Sequence, residues 1–238
     1  VLAALREVSH APLRTLLASF IERHVAGREA DIAKAAPGAD PDTAVYLMQL
    51  LGRMGTPGAR QAIEKLAQQS EDMNVCVEAR LLLAPSPEHA VRELNMLLEN
   101  TSALVRMAAL RASTRHSIRN VWPTVARIIA AKHFNDLGSD ERRELLRACV
   151  LLSPERGEPM LLELAKKGGV LTSGEREATR AVAAELLGEL SRTRSTAMAL
   201  QEIANARWGV SEETRNAAAN AAKRIGIRLS QSQGSVLA

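Results

Sequence analysis

The stretch that decides the fold is "LVRMAALRAS", residues 104–113. It places two arginines, Arg106 and Arg111, in a segment whose other residues are mostly small and apolar. Alanine and leucine are strong helix formers, and the apolar residues recur with the 3.6-residue period of a helix. The segment therefore predicts a helix. Its arginines have two interpretations: they form a basic site, or they belong to a structural unit that recurs along the chain.

The composition of the whole chain favours packed helices. Of its 238 residues, 46% are hydrophobic and 24% are charged, but only 2% are aromatic. The core must therefore consist of Leu, Ala, Val, Ile and Met, which suit close helix packing, whereas a β-sandwich normally has more β-branched and aromatic residues. No run approaches 18 consecutive apolar residues, so no membrane span is predicted. These features predict an all-α protein of the cytoplasm.

The breaks in the apolar pattern carry the chemistry of helix starts. Asp40, Thr56, Ser86 and Ser153 each precede a proline. Such a pair places a capping side chain before a residue whose missing N–H costs nothing in the first helical turn. Between these breaks the apolar residues recur every 3.6 residues, as on one face of a helix. The sequence therefore predicts helices at 12–25, 28–36, 41–54, 57–69, 71–84, 87–99, 102–115, 119–132, 140–152, 157–167, 174–190, 194–206 and 211–225.

The opening stretch has relatives elsewhere in the chain. "ATRAVAAELLGEL" (178–190) and "ETRNAAANAAKRI" (213–225) also place an arginine near the start of a helix and alanines in the next turn. "NVCVEARLLLA" (74–84) fits with a cysteine in place of the arginine. Small residues let two helices approach closely, and the arginine can reach a carboxylate or carbonyl of the adjacent unit. This pattern predicts a repeat framework of Arg106, Arg180, Arg215, Ala109 and Ala184.

The predicted helices also form pairs. The first helices of successive pairs begin near 41, 71, 102, 140, 174 and 211, at intervals of about 30 to 38 residues, which is the range of helical-pair repeats. With the recurring arginine and alanines, residues 40–225 resemble the HEAT-repeat family of α-solenoids. The resemblance implies a right-handed α-α superhelix of about five to six helical hairpins. On this basis residues 1–36 are a capping pair of helices or a degenerate repeat, residues 37–226 are the repeat array, and residues 227–238 are a flexible tail.

The sequence contains no pattern that predicts catalysis. It has no phosphate-binding glycine motif and no nucleophile turn. No two of its five histidines lie at the spacing of metal ligands, and Cys76 and Cys149 are expected to be buried free thiols. We therefore expect no catalytic residues, no metal and no cofactor. A HEAT-like DNA glycosylase or lyase is the enzyme alternative; it needs exposed aromatic residues, for which Trp122 and Trp208 are the candidates. Each tryptophan could instead fill a seam between repeats.

The charge distribution indicates an interaction surface. Residues 1–100 contain ten Lys/Arg and thirteen Asp/Glu and carry a charge of −3, so residues 101–238 carry +7 and the whole chain +4. Solenoids usually bind along the concave face, which the second helix of each hairpin lines. On this concave face basic residues are interspersed with glutamates. This mixture favours a protein partner over a nucleic acid, whose phosphates form a continuous line of negative charge. The sequence predicts a scaffold or adaptor, either on its own or as a domain of a larger regulatory protein; the alternative is nucleic-acid binding by the basic half. The predicted contact residues are Arg119, Arg127, Lys132, Lys166, Lys167, Arg194, Arg207 and Trp208.

Overall fold

All regular secondary structure in the described part of the chain is helical. The computed structural model describes residues 19–21, 23–24, 27–36, 39–166 and 174–234. The α-helices are α1 Glu29–Ala35, α2 Pro41–Met54, α3 Pro57–Gln69, α4 Met73–Leu83, α5 Pro87–Leu98, α6 Ala103–Arg115, α7 Trp122–Ala130, α8 Ser139–Leu152, α9 Pro154–Lys166, α10 Gly174–Leu190, α11 Arg194–Ala204 and α12 Glu212–Gly234. Short 3₁₀ helices occupy Arg119–Val121 and Phe134–Asp136. The predicted all-α class is confirmed for these residues.

Three of the four capping residues predicted before proline cap their helices as expected. Each of three side chains accepts a hydrogen bond from the main-chain N–H three residues later: Asp40 at 3.1 Å, Thr56 at 3.1 Å and Ser86 at 3.3 Å. These bonds satisfy N–H groups that have no partner within the helix. The local chemistry of the sequence thus sets the starts of α2, α3 and α5.

Two predicted boundaries are wrong. Helix α9 begins at Pro154, as the Ser153-Pro154 pair predicts, rather than at residue 157, because Gly157 is accommodated inside it. Helix α12 continues through Gly226 to Gly234, so the tail predicted at 227–238 is helical as far as Gly234. The Arg228 guanidinium donates hydrogen bonds to main-chain carbonyls at the end of α10, and this packing offsets the roughly 1 kcal/mol cost of a helical glycine. Residues 1–18 of the predicted cap and residues 235–238 of the tail lie outside the described residues.

The chain divides into two compact units between Ala112 and Ser113, which are described separately. In unit 1, α1 packs against α3 and α2 packs against α4, in addition to contacts between consecutive helices. Leucine and methionine side chains on α2, together with Ile63 and Leu66 of α3, fill the core between them. Helices two apart in sequence therefore share a layer.

Unit 2 repeats this alternation. Helix α10 packs against both α8 and α12, while α9 packs against α11. Consecutive helices such as α8 and α9, or α11 and α12, are also in contact. One layer thus contains α8, α10 and α12, and the other contains α9 and α11.

Contacts between side chains give the direction of the helices in unit 2. The Trp122 Nε1–H at the start of α7 donates to the carbonyl of Cys149 near the end of α8, at 3.0 Å. The Arg156 guanidinium, near the start of α9, lies 4.1 Å from the centre of the Trp122 ring. The Thr196 hydroxyl at the start of α11 donates to Glu158 at the start of α9, at 2.7 Å. The N-termini of α7, α9 and α11 therefore lie at one edge of unit 2, which we call the amino edge; their C-termini define the carboxyl edge.

Small residues set the distance between helices in unit 2. A Cβ atom on Gly188 of α10 would lie 2.5 Å from the Cβ of Ala221 on α12, and one on Gly157 of α9 would lie 2.7 Å from the Cα of Val150 on α8. Neither distance is possible without moving a helix. Ala184, one turn before Gly188, is completely buried. The close approach expected from the alanines is present, and it extends to glycines that the sequence pattern had not singled out.

The contact at Gly188 gives a direct test of this packing. We expect Gly188→Ala to lower the free energy of unfolding by about 1–3 kcal/mol, because the added methyl overpacks the α10–α12 contact. Gly226→Ala is the matched control: Gly226 is also helical, and its Cβ would meet no atom within 4 Å. This control should raise stability by up to ~1 kcal/mol. Urea unfolding followed by circular dichroism measures both changes; equal effects would contradict the proposed contact.

Candidate functional site

The predicted basic contact residues that the structure describes are all exposed side chains of unit 2. They lie on or beside α7, α9 and α11, which correspond to the predicted second helices. Lys167 lies outside the described residues. The exposed basic residues are Arg119, Arg127, Lys132, Lys166, Arg194 and Arg207.

These residues are divided between the two edges of unit 2. Arg119 precedes α7 and Arg194 begins α11, so both lie at the amino edge. Lys132, Lys166 and Arg207 follow or end their helices, so they lie at the carboxyl edge. At 1.5 Å per residue, helices of this length separate the edges by roughly 15 Å. The described basic residues are thus distributed over two edges of unit 2.

The two edges differ in how their charges relate to the helix dipoles. A cation at the C-terminus of a helix stabilises it, so Lys166 at the end of α9 has a structural role that needs no ligand. Arg194 is the first residue of α11, where the dipole disfavours a positive charge. Its position is not explained by the stability of its own helix.

The two tryptophans have different environments. Trp122 is half-buried, donates to a carbonyl of α8 and lies under the Arg156 guanidinium. It therefore fills a seam between neighbouring helices. Trp208 is 89% exposed and lies beyond the end of α11, before a turn in which Gly209 has a left-handed φ of 74°. The seam interpretation is therefore wrong for Trp208.

Helix α11 presents an exposed stripe between the two edges. Arg194, Met198, Glu202 and Asn205 are exposed at helical spacing, and Trp208 follows them. Met198 is 61% exposed in the middle of this stripe. Methionine is a flexible, polarisable side chain that adapts to different partner surfaces. The stripe thus combines two exposed apolar side chains with Arg194 at one end and Arg207 at the other, and we call it the α11 stripe.

The predicted framework arginines contact main-chain carbonyls at or just after the end of the preceding helix. Arg180 is buried, and its guanidinium donates twice to the carbonyl of Ala165 at 3.1 Å and to Glu177 at 2.6 Å. Ala109 and Ala184 are both completely buried. The other contacts of this kind are Arg106 to the carbonyls of Asn100 and Thr101 at 2.6 and 2.8 Å, Arg215 to Ala206 at 3.5 Å, and the Cys76 thiol to Ser70 at 3.4 Å.

Arg142 makes the same kind of contact, although the sequence pattern did not single it out. It is the fourth residue of α8, as Arg106 is of α6, and its side chain is buried. It donates to the carbonyl of Asn135 at 3.2 Å and to the Thr179 hydroxyl at 3.2 Å, and it pairs with Glu175. Arg142 could have been found in the sequence by its position in the helix, which matches that of Arg106. The pattern missed it because Arg142 is not followed by the small residues that follow Arg106.

Two carboxylates also have partners that the sequence did not reveal. Glu158 accepts hydrogen bonds from the hydroxyls of Ser191 and Thr196, each at 2.7 Å. Glu78 is completely buried on α4 and accepts from the Gln49 amide at 2.9 Å. Both carboxylates link different helices, which gives them a role in packing.

The thiols are shielded to different extents. Burial raises the pKa of the Cys149 thiol to about 11, and burial also raises the pKa of Cys76, which is half-buried. Cys149 is buried as predicted, whereas Cys76 is more accessible than predicted. Within the described ranges, no group of three or more His, Cys, Asp or Glu side chains is arranged to hold a metal ion. Among the same residues, no helix has the length and apolar character to cross a membrane.

Comparison with known proteins gives no family assignment. Neither a scan against protein-family models nor a search of curated proteins matches this sequence. The exposed basic residues and the α11 stripe are therefore the observations from which a function can be proposed.

The role of Arg180 can be measured through stability. We expect Arg180→Met to lower the free energy of unfolding by about 3 kcal/mol, because it leaves the Glu177 carboxylate and the Ala165 carbonyl without their buried partner. Arg176→Met, at an exposed position of the same helix, should change it by less than about 0.5 kcal/mol. Chemical denaturation of both variants gives the values, and equal losses would show that Arg180 is not a packing residue.

The two thiols should react at different rates in the folded protein. At pH 8 a thiol of pKa 11 is ionised in about one molecule per thousand, and only the thiolate is a good nucleophile. We expect iodoacetamide to label Cys76 well before Cys149, and to label both at comparable rates in urea. Peptide mass spectrometry over time measures the two rates. Faster labelling of Cys149 in the folded protein would contradict its burial.

Proposed function

We propose that this chain is a non-catalytic, HEAT-like scaffold of the cytoplasm. In this proposal, the helices of each unit are stacked as repeat hairpins, and the α11 stripe of unit 2 holds an acidic segment of a protein partner. The observation that carries the proposal is Trp208, an aromatic side chain 89% exposed at the end of this stripe.

The packing of the helices supports the scaffold part of the proposal. In both units, helices two apart in sequence are in contact, as the hairpins of a solenoid require. Buried arginines and alanines recur at similar places in successive hairpins, for example Arg142 and Arg180. A stack of this kind presents a preorganised surface, so the partner bears most of the ordering cost on binding.

The composition of the α11 stripe supports a protein segment as the occupant. Tryptophan, methionine and arginine are enriched at protein interfaces, and Trp and Arg are the commonest anchor residues. Met198 and Trp208 can contact apolar side chains of a segment, while Arg194 and Arg207 attract its acidic residues. Glu202 lies between them, and it disfavours a continuous line of phosphates. The separation of the basic residues into two edges also favours a peptide over a nucleic acid.

We expect capture from nuclease-treated cell extract to depend on the α11 stripe. Wild-type chain should retain a partner that the double variant Met198→Ser/Trp208→Ala loses, because the variant removes both exposed apolar contacts. The matched control is Met96→Ser/Leu104→Ser, which removes two apolar side chains of unit 1 that are 66% and 65% exposed. The control should retain the partner. Mass spectrometry of the eluates identifies it.

A second measurement tests the charge of the partner. Once the partner is known, titration should show that its affinity for wild-type chain falls as salt is added, and that Arg194→Glu/Arg207→Glu weakens it further. Proteins retained equally by all variants would contradict the proposed surface. Retention that disappears entirely with nuclease treatment would support nucleic-acid binding by the basic half instead.

A further inference from the structure

Four exposed arginines lie along the amino edge of unit 2. Arg119 begins the short 3₁₀ helix that leads into α7, and Arg156 is the third residue of α9. Arg192 and Arg194 stand on either side of Thr193, the residue that caps the start of α11. All four arginines are exposed. They occupy the starts of α7, α9 and α11 in turn, and we call them the amino-edge row.

Contacts within unit 2 hold the middle of this row in place. The Arg156 guanidinium lies 4.1 Å from the centre of the Trp122 ring, and its Nε–H donates to the Ser153 hydroxyl at 2.8 Å. Because an aromatic face attracts a cation, this guanidinium is oriented before any ligand arrives. A hydrogen bond from Ser153 lowers the pKa of the Glu155 carboxyl, and the charges of Arg156 and Arg119 lower that pKa further. Arg119 therefore lies close to the first turn of α9.

The stability of the helices does not account for the amino-edge row. The N-terminus of a helix carries partial positive charge, so a cation there destabilises its own helix. Two carboxylates at this edge are engaged by other groups. Glu158 accepts from the hydroxyls of Ser191 and Thr196, and Glu189 pairs with Arg143 at 2.8 Å. Since residues that violate a local rule of helix stability are expected at functional sites, the row has the character of a surface for an anionic ligand.

The spacing of the row matches an extended chain. Helices α7 and α9 touch through Trp122 and Arg156. Helices α9 and α11 touch through Glu158 and Thr196. The axes of packed helices lie about 8–10 Å apart, so the row offers a cation at about that interval. A polyproline II helix has three residues per turn and rises about 3.1 Å per residue, so every third side chain points the same way at intervals of about 9 Å. An acidic segment in this conformation places one carboxylate opposite each helix start.

Glu155 sets a preference among acidic segments. Its side chain is exposed, and the charges of Arg156 and Arg119 both act on it. A run of consecutive carboxylates would bring like charges against Glu155, whereas uncharged residues between the carboxylates would not. The row therefore favours acidic residues that are separated by two uncharged ones.

We propose that the amino-edge row binds an extended acidic segment with a carboxylate at every third residue, which crosses from Arg194 on α11 over Arg156 on α9 to Arg119 before α7. The segment is part of the partner that the α11 stripe holds, so the proposal rests on that function. Arg194 is common to both surfaces, because it begins the stripe and ends the row. Arg119 and Arg156 belong to the row alone.

Tryptophan fluorescence detects a ligand at the row without a known partner. Trp208→Phe leaves Trp122 as the only tryptophan, and a ligand that binds Arg156 changes the surroundings of this ring. The probe is a peptide, capped at both ends, in which Glu-Pro-Pro is repeated four times, because its prolines favour the polyproline II conformation. At low salt we expect a saturable change at millimolar concentration or below. The absence of a saturable change would overturn the proposal.

Two further ligands of equal charge test the spacing and the chemistry. A capped peptide of four consecutive glutamates followed by eight prolines should need an about threefold higher concentration, because fewer of its carboxylates meet an arginine. Equal midpoints for the two peptides would show that the row reads only net charge, which would overturn the proposal. A five-nucleotide thymidylate strand has four phosphates. A lower midpoint for this strand than for the repeat peptide would assign the row to nucleic acid instead.

Arg119→Gln tests whether the segment reaches α7. We expect it to raise the midpoint for the repeat peptide about two- to fivefold, the range of an exposed ion pair. Arg176→Gln is the matched control, because Arg176 is the exposed third residue of α10 and follows a glutamate, as Arg156 does in α9. The start of α10 lies at the carboxyl edge, where Arg180 binds the Ala165 carbonyl. The control should leave the midpoint unchanged, and equal effects in the two variants, both shown to be folded by circular dichroism, would overturn the proposal.

The row and the α11 stripe can fail separately. If Met198→Ser/Trp208→Ala loses the captured partner and Arg119→Gln binds it as tightly as wild type, the stripe is supported and the row is overturned. If both variants retain the partner in full, the proposed function fails, and the peptide titrations still decide whether the row selects spaced carboxylates. Weaker binding of the partner by Arg119→Gln, with Arg176→Gln unchanged, is the result expected.

Discussion

The architecture of unit 2 depends on the close approach of helices at residues with little or no side chain. Gly188 lies against Ala221, and Gly157 lies against the main chain of α8. At such short distances the main chains themselves are in contact, and dispersion forces between them replace those of large side chains. This explains how a chain with only 2% aromatic residues builds a well-packed core. Buried alanines at Ala183 and Ala184 continue the same contact along α10.

The last carbonyl groups of a helix have no intrahelical partners, and residues at the start of the next helix satisfy several of them. Arg180 and Arg142 do so from buried positions, whereas Arg106 and Arg215 are only half-buried. Since five donors are fixed on one planar group, an arginine can bind carbonyls and a carboxylate at once. The structure thus divides the arginines into those that hold helices together and those, such as Arg194, that face solvent.

The chemistry of the α11 stripe sets the kind of partner proposed for it. Arg194 and Arg207 lie near its two ends and flank the exposed side chains of Met198 and Trp208, so the proposed partner is an extended acidic segment. Apolar contact provides affinity that is not directional, and the two arginines select the sign of the partner's charge.

The sequence by itself determined the helical class and most helix boundaries, because capping residues, prolines and the 3.6-residue period act locally. It also identified Arg180 and Ala184 through their recurrence. Only the tertiary structure decided which exposed residues lie together: the division of the basic residues between two edges follows from the direction of the helices, and the exposure of Trp208 follows from where α11 ends. The extension of α12 past Gly226 likewise depends on packing between distant segments, which no local pattern encodes.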